Sequence, residues 1–273
     1  MARGKSEPNE RTKSNERGER SGRGRGGKAR TTQTARAQTS AGSRRVGIIG
    51  QGQVGSALER GLADAGYEVR TSSSDPQEVR DVGQWGEVLV LAVPFDARAD
   101  AVRTLGDAIT EKTVIDVTNA LGEGYTFAGS TERSGAEELQ EMAGDDACVV
   151  KAFNTVFATH MDKGGTGGEP LTVFVAGDDE EAKQEAADLA EAIGFDTVDS
   201  GPLENARWLE TLGYLNIQLA QQPGVGGDGG FQYVRKGARR RTRSANANAS
   251  GRSRPTEGRR TTRRRSAATA RNR

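Results

Sequence analysis

Three glycines, Gly50, Gly52 and Gly55, stand in the pattern Gly-x-Gly-x-x-Gly directly after the apolar run Val46-Gly47-Ile48-Ile49. Each has a chemical task if that run is a buried strand and a helix follows. Gly50 permits the tight turn off the strand, and Gly52 has no Cβ to hold a pyrophosphate away from the backbone. Gly55 lets the new helix lie close to the sheet. The helix start then offers free N–H groups and a partial positive charge to phosphate oxygens, through Gln51, Gly52, Gln53 and Val54. The alternative is a purely structural glycine turn.

The flanking sequence supports the first reading. Val54, Leu58, Leu62 and Ala65 fall on one helical face, Gly66 ends the helix, and residues 67–71 read as a second strand. Strands and helices then alternate. Strands are expected at 87–93, 113–117, 147–153, 171–176 and 195–199, and helices at 97–108, 134–142, 180–193 and 203–220, with Asp75 starting one more. Glycine-rich loops are expected at 121–132 and 164–168. The pattern predicts an α/β fold with a doubly wound parallel sheet of the Rossmann type. Ligands of such sheets bind beyond the carboxyl ends of the strands. That places Ser72, Ser73 and Ser74, Ala92, Val93 and Pro94, Thr118 and Asn119, and residues 152–155 around the glycine loop.

The nucleotide is a nicotinamide dinucleotide of one of two kinds. An NAD site usually carries an acid at the end of the second strand to hold the ribose 2′-hydroxyl. Here that stretch reads Arg70-Thr71-Ser72-Ser73-Ser74, and no acid appears before Asp75. Three hydroxyls and Arg70 suit a 2′-phosphate, so NADP is the expected cofactor and NAD the alternative; the bland reading is a serine-rich turn with Arg70 in solvent.

The formal net charge of +1 conceals a partition. Residues 1–45 carry 13 basic and 4 acidic side chains, and residues 235–273 carry 15 basic and one acidic. Between them lie 11 basic and 33 acidic side chains, with only four lysines. Residues 1–44 and 235–273 hold too few large apolar residues to offset the entropy of ordering, so both are expected to be disordered basic tails. Residues 45–222 form the expected nucleotide-binding domain with a C-terminal α/β extension, and 223–234 a glycine-rich segment. The acidic middle has the character of a halophilic surface. In molar salt the Debye length is ~3 Å, which weakens phosphate binding by the arginine runs and makes nucleic acid an unexpected partner. The tails therefore stand as solvated segments, as nucleic-acid arms, or as translation of GC-rich DNA outside the true reading frame.

No apolar run approaches the ~20 residues that cross a bilayer, and the polar N-terminus lacks the apolar core of a signal peptide. A cytoplasmic location without membrane contact is expected. Cys148, the only cysteine, is expected to be buried rather than reactive, and His160, the only histidine, to lie at the surface. The acidic run Asp178-Asp179-Glu180-Glu181 reads as a helix start capped by Asp178, not a metal site.

Taken together, the motifs resemble the NADPH-dependent reductases of coenzyme F420, a deazaflavin. The likeness covers most of residues 46–234 and neither tail. It rests on the glycine loop, on Leu91-Ala92-Val93-Pro94-Phe95, on Val150-Lys151-Ala152-Phe153-Asn154-Thr155, on Val175-Ala176-Gly177-Asp178-Asp179, on Asp199-Ser200-Gly201-Pro202-Leu203 and on Gly224-Val225-Gly226-Gly227-Asp228. The resemblance implies hydride transfer between NADP(H) and F420 as co-substrate, within a homo-oligomer. It carries 2′-phosphate contacts to Ser73 and Ser74, and nicotinamide contacts to Val93, Asn119, Asn154 and Ala158. Two positions depart from the family pattern. Ser74 and Glu78 stand where an arginine and a lysine usually grip the 2′-phosphate, which weakens the NADP preference. Asn154-Thr155 replaces His-Thr, which leaves the second substrate open.

Hydride transfer asks the protein to align two cofactors and exclude water, so no catalytic side chain is assigned. Another acceptor (a quinone, a flavin or a metal complex) or a nucleotide-binding regulator without turnover fits the same residues. An intact-mass measurement on the native protein separates the readings of the tails: a mass short of both arginine runs identifies them as foreign to the protein.

Overall fold

The computed structural model describes residues 44–130 and 132–235. The expectations for both basic tails lie outside the described residues, save for Arg44 and Arg235 at their inner ends.

The apolar run and its helix form β1 (Arg45–Ile49) and α1 (Gln53–Asp64), followed by β2 (Glu68–Ser72), α2 (Pro76–Trp85), β3 (Val88–Leu91), α3 (Arg98–Leu105), β4 (Thr113–Asp116), α4 (Gly135–Ala143) and β5 (Cys148–Lys151). A two-residue hairpin, β6 (Gly165–Thr166) with β7 (Glu169–Pro170), leads to β8 (Thr172–Gly177), α5 (Glu180–Ile193), β9 (Asp196–Asp199) and α6 (Ala206–Ala220). Seven strands make one sheet in the order β2-β1-β3-β4-β5-β8-β9. The order reverses between β1 and β3, so a crevice opens beyond their carboxyl ends.

Strand residues alternate between two buried faces, as a parallel sheet covered on both sides requires. Val46, Ile48, Val88, Val90, Ile115 and Val150 pack with Leu58 and Leu62 of α1 and Ala186, Leu189 and Ala190 of α5. Ile49, Leu89, Leu91, Val114 and Val149 face the other way, toward Val79 and Val82 of α2, Val102 and Leu105 of α3, and Leu139 of α4. The doubly wound α/β architecture read from the sequence is the one observed.

Several details differ from expectation. β5 and β8 are antiparallel, whereas the other neighbours in the sheet run parallel. The connection 152–171 contains a 3-10 turn at Ala158–His160 and the β6–β7 hairpin but no α-helix. It therefore re-enters the sheet at the edge it left, for which no crossover is needed. The helix expected at 97–108 is shorter because Gly106 adopts φ 52° and caps α3, with a 3-10 turn following. The glycine-rich C-terminal segment folds back on the sheet: Thr172 N–H donates to the Phe231 carbonyl at 2.9 Å, and Tyr233 N–H donates to the Thr172 hydroxyl at 2.9 Å.

The carboxyl end of the sheet is held by a buried ion cluster. The Lys151 ammonium, fully buried at the end of β5, donates to Asp116 Oδ2 at 2.9 Å and to the Thr118 carbonyl at 2.7 Å. Its third partner is Glu210 Oε1 of α6 at 3.1 Å. Glu210 also accepts the N–H groups of Gly135 at 3.0 Å and Ala136 at 3.2 Å, so its charge sits at the positive end of α4. Replacing Lys151 with Met would leave two carboxylates buried without their cation. The expected loss in urea unfolding is about 3–5 kcal/mol, the range for breaking a buried pair; a change under about 1 kcal/mol would show that the cluster does not hold the sheet end.

Candidate functional site

The glycine loop lies at the reversal of strand order. Gly50 N–H donates to the Ser72 carbonyl of β2 at 3.1 Å, and Ala92 N–H donates to the Ile49 carbonyl at 2.9 Å, so the loop is gripped from both sides. Gly50 has φ 119°, and a Cβ there would lie 2.3 Å from the Ala92 carbonyl oxygen. A Cβ on Gly55 would lie 1.9 Å from the Gly50 carbonyl oxygen. Gly52 differs from both: a Cβ there would meet nothing within 4 Å. Its missing side chain answers to no contact within the fold, and it leaves open space above the start of α1.

That helix start is electrostatically bare. Gly52 is its N-cap, with no side-chain cap and no acid in the first turn. The first N–H groups of a helix need partners, and here the fold supplies no side chain for them. An anion is the complementary ligand. The open cradle at Gly52 and the uncapped amides together fit the pyrophosphate of a dinucleotide.

The other expected residues gather on the same rim. Ser72 is buried under the loop, while Ser73 is half-buried and Ser74 exposed. Val54, Ala92 and Ala158 are half-buried at the margin of the α1-facing core. After the end of β3, Val93 is half-buried against the α2- and α3-facing core and Pro94 is exposed. Asn119 and Asn154 form a reciprocal pair: Asn154 Nδ2 donates to Asn119 Oδ1 at 3.0 Å, and Asn119 Nδ2 donates to the Asn154 carbonyl at 2.9 Å. Asn154 Nδ2 also donates to the Leu209 carbonyl of α6 at 2.8 Å. Its Oδ1 is buried without a hydrogen-bond partner among the described residues. Gly213 lets α6 settle here, since a Cβ would approach Asn119 Oδ1 to 2.3 Å. Just before the pair, Phe153 holds φ 62°, a strained conformation for an aromatic residue that costs about 1–3 kcal/mol.

Three expectations are corrected by the geometry. Arg70 does not face the serines; its guanidinium lies over the Trp85 ring, 4.4 Å from the centroid. His160 is buried, not at the surface. Cys148 is half-buried at the amino end of β5, and burial followed by the charge of Asp179 pushes its thiol pKa up. Elsewhere, Asp179 caps α5 through the Ala182 N–H, and Asp178 accepts from the Leu203 N–H. Arg207, near the start of α6, donates to Glu137 of α4. Lys151, Asp116 and Glu210 are absent from the residues expected at the site, although charges inside the Cys-Val-Val-Lys and Thr-Val-Ile-Asp strands signal a buried pair.

The fold and rim define a Rossmann-type NAD(P)-binding oxidoreductase domain. Residues 45–84 match the family described as NADP oxidoreductase, coenzyme F420-dependent. The F420-dependent NADP reductase of Methanothermobacter marburgensis is 28% identical over 200 residues, covering 62% of this chain and 89% of that one. The metalloreductase STEAP3 of Rattus norvegicus is 29% identical over 182 residues; the match spans 62% of this chain but 36% of that protein. A crystal structure described as a candidate F420-dependent NADP reductase from Arthrobacter sp. FB24 superposes with a TM-score of 0.65 at 28% identity. It covers 70% of this chain and all of that one. Among the described residues no helix is long and apolar enough to cross a membrane.

The glycines separate binding from folding. Gly52→Ala is expected to leave the thermal midpoint unchanged while weakening NADPH at least about tenfold, or 1.4 kcal/mol. Gly55→Ala is expected to lower the midpoint as well, because its Cβ must displace backbone. Parallel thermal melts and fluorescence titrations with NADPH check both; equal stability losses would contradict the division.

Proposed function

We propose that the protein transfers a hydride between NADP(H) and a deazaflavin of the coenzyme F420 type. The observation that carries this reading is the shared extent of fold: the Arthrobacter structure is covered over its whole length, and the Methanothermobacter reductase over nearly all of its length. In this reading Gly50, Gln51, Gly52, Gln53, Val54 and Gly55 hold the pyrophosphate on the bare start of α1. Ser72, Ser73 and Ser74 border the adenosine end. Ala92, Val93, Pro94, Asn119, Asn154 and Ala158 border the nicotinamide.

When bound, the two cofactors would supply the hydride exchange between a nicotinamide and a deazaflavin ring. The chain's part is to position and to exclude water. The buried ionisable groups beneath this rim support that division of labour, since Asp116, Lys151 and Glu210 are engaged with one another. The Asn119–Asn154 pair supplies a fixed polar wall, and the orphaned Asn154 Oδ1 supplies an acceptor.

A second acceptor class is kept by the STEAP3 likeness and by Asn154 itself. In it, the same domain would pass hydride to a flavin, which would hand single electrons on to a metal complex. Purified protein mixed with NADPH and oxidised F420 is expected to bleach the deazaflavin absorbance with stoichiometric NADPH loss. NADPH that binds but turns over only with a flavin or ferric chelate would replace the proposed acceptor. Binding without turnover on any of them would point to a regulator.

A further inference from the structure

The two helices that start beside the glycine loop are finished in opposite ways. α1 begins bare, as described above. α2 begins with two carboxylates: Asp75 accepts the N–H groups of Gln77 at 2.8 Å and Glu78 at 3.1 Å, and Glu78 reaches back to Ser73. Glu78 Oε2 accepts the Ser73 hydroxyl at 2.6 Å and the Ser73 N–H at 2.9 Å. The Ser73 hydroxyl in turn accepts the Asp75 N–H at 3.1 Å. These bonds from Ser73, the hydroxyl first and then the amide, hold the Glu78 carboxyl below its usual range. It is ionised at neutral pH.

This turn adjoins the loop, because Ser72 is the residue whose carbonyl receives the Gly50 N–H. It is where the adenosine ribose of a dinucleotide on that loop arrives. A 2′-phosphate there would meet an anion, a serine already committed to that anion, and a helix start already neutralised. The basic side chains nearby in sequence are engaged elsewhere: Arg70 with the Trp85 ring and Arg80 with Gln77. A 2′-hydroxyl meets no such conflict, since it can donate to the carboxylate.

We propose that Glu78 is a specificity-determining residue which weakens the grip on the 2′-phosphate, so that the site admits NAD(H) alongside NADP(H). This rests on the reading of the loop as a nicotinamide dinucleotide site. Charge carries the discrimination, and Glu78 is exposed, so dissolved salt should screen it.

The full chain is titrated with NADH and with NADPH at low and at high ionic strength. Beside the native protein stand Glu78→Gln, Glu78→Lys and thermal melts that confirm folding. Native protein is expected to bind both dinucleotides within about tenfold of each other at low salt. Glu78→Gln should raise the preference for NADPH by about tenfold, the scale of one unit charge a few ångströms from a phosphate near a surface. Glu78→Lys should raise it further. Added salt should raise the NADPH preference in the native protein more than in Glu78→Gln. Binding of both dinucleotides with a ratio that neither substitution moves would overturn this proposal and leave the dinucleotide site standing. Binding of neither dinucleotide to the native protein would overturn both.

Discussion

The carboxyl end of this sheet depends on one ammonium group. Lys151 has three N–H donors and three acceptors, from Asp116, the Thr118 carbonyl and Glu210. Burying an ion costs several kcal/mol, so such a group persists only when its geometry is complete. Completeness here requires β4, β5 and α6 together. Glu210 extends the requirement to α4 by taking the first two N–H groups of that helix. The excess negative charge of the cluster is thus set against a helix start. With α6 fixed, Leu209 and Gly213 close over Asn119 and Asn154, and the strained Phe153 is carried in the same wall. The rim of the candidate site is therefore a consequence of a charge balance beneath it.

Helix ends decide the electrostatics above that floor. α4 spends its first amides on Glu210, α2 on Asp75, and α5 on Asp179. Only α1 among these four starts without a capping side chain. A helix start that satisfies itself cannot also hold an anion, so among these four only α1 is left open to one. The neighbouring turn shows the converse. Its serines look inviting as hydroxyls in a list, but Ser73 already donates to Glu78. What this end of the sheet can hold is consequently a matter of which donors the fold has left unpaired.

Much of the architecture could be read directly from the residues. The apolar run before Gly50, the stripe along α1 and the glycine that ends it are local features, and local sterics suffice for a β-α-β unit. The helix over residues 180–193 has the bounds expected of it and ends at Gly194 in the left-handed region. Its cap is Asp179 rather than the expected Asp178, whose carboxylate turns to the Leu203 N–H. Gly106 interrupts the helix expected at 97–108 because its positive φ caps α3 at Leu105; apolar spacing alone does not register that break. Arg70 illustrates a different gap. Its type suits a phosphate, yet Trp85, fifteen positions on, offers a ring face within reach, and a cation over an indole is favourable where both are near the surface.

The division follows the range of the forces involved. Turn geometry, capping and the period of apolar residues act over a few positions, so the order of residues is enough to specify the glycine loop, the doubly wound pattern and the dinucleotide class. Even the Ser73–Glu78 contact belongs to that short range, five residues apart. The antiparallel placing of β8, the partners of Lys151, the burial of His160 and the seating of α6 on the asparagine pair lie beyond it. Lys151 and Asp116 are 35 residues apart, and Gly135 and Glu210 are 75 apart. Such partners are chosen by packing after the chain has folded back on itself, because a buried charge accepts whichever opposite group the core brings within about 3 Å. Only the tertiary structure could show which groups those were.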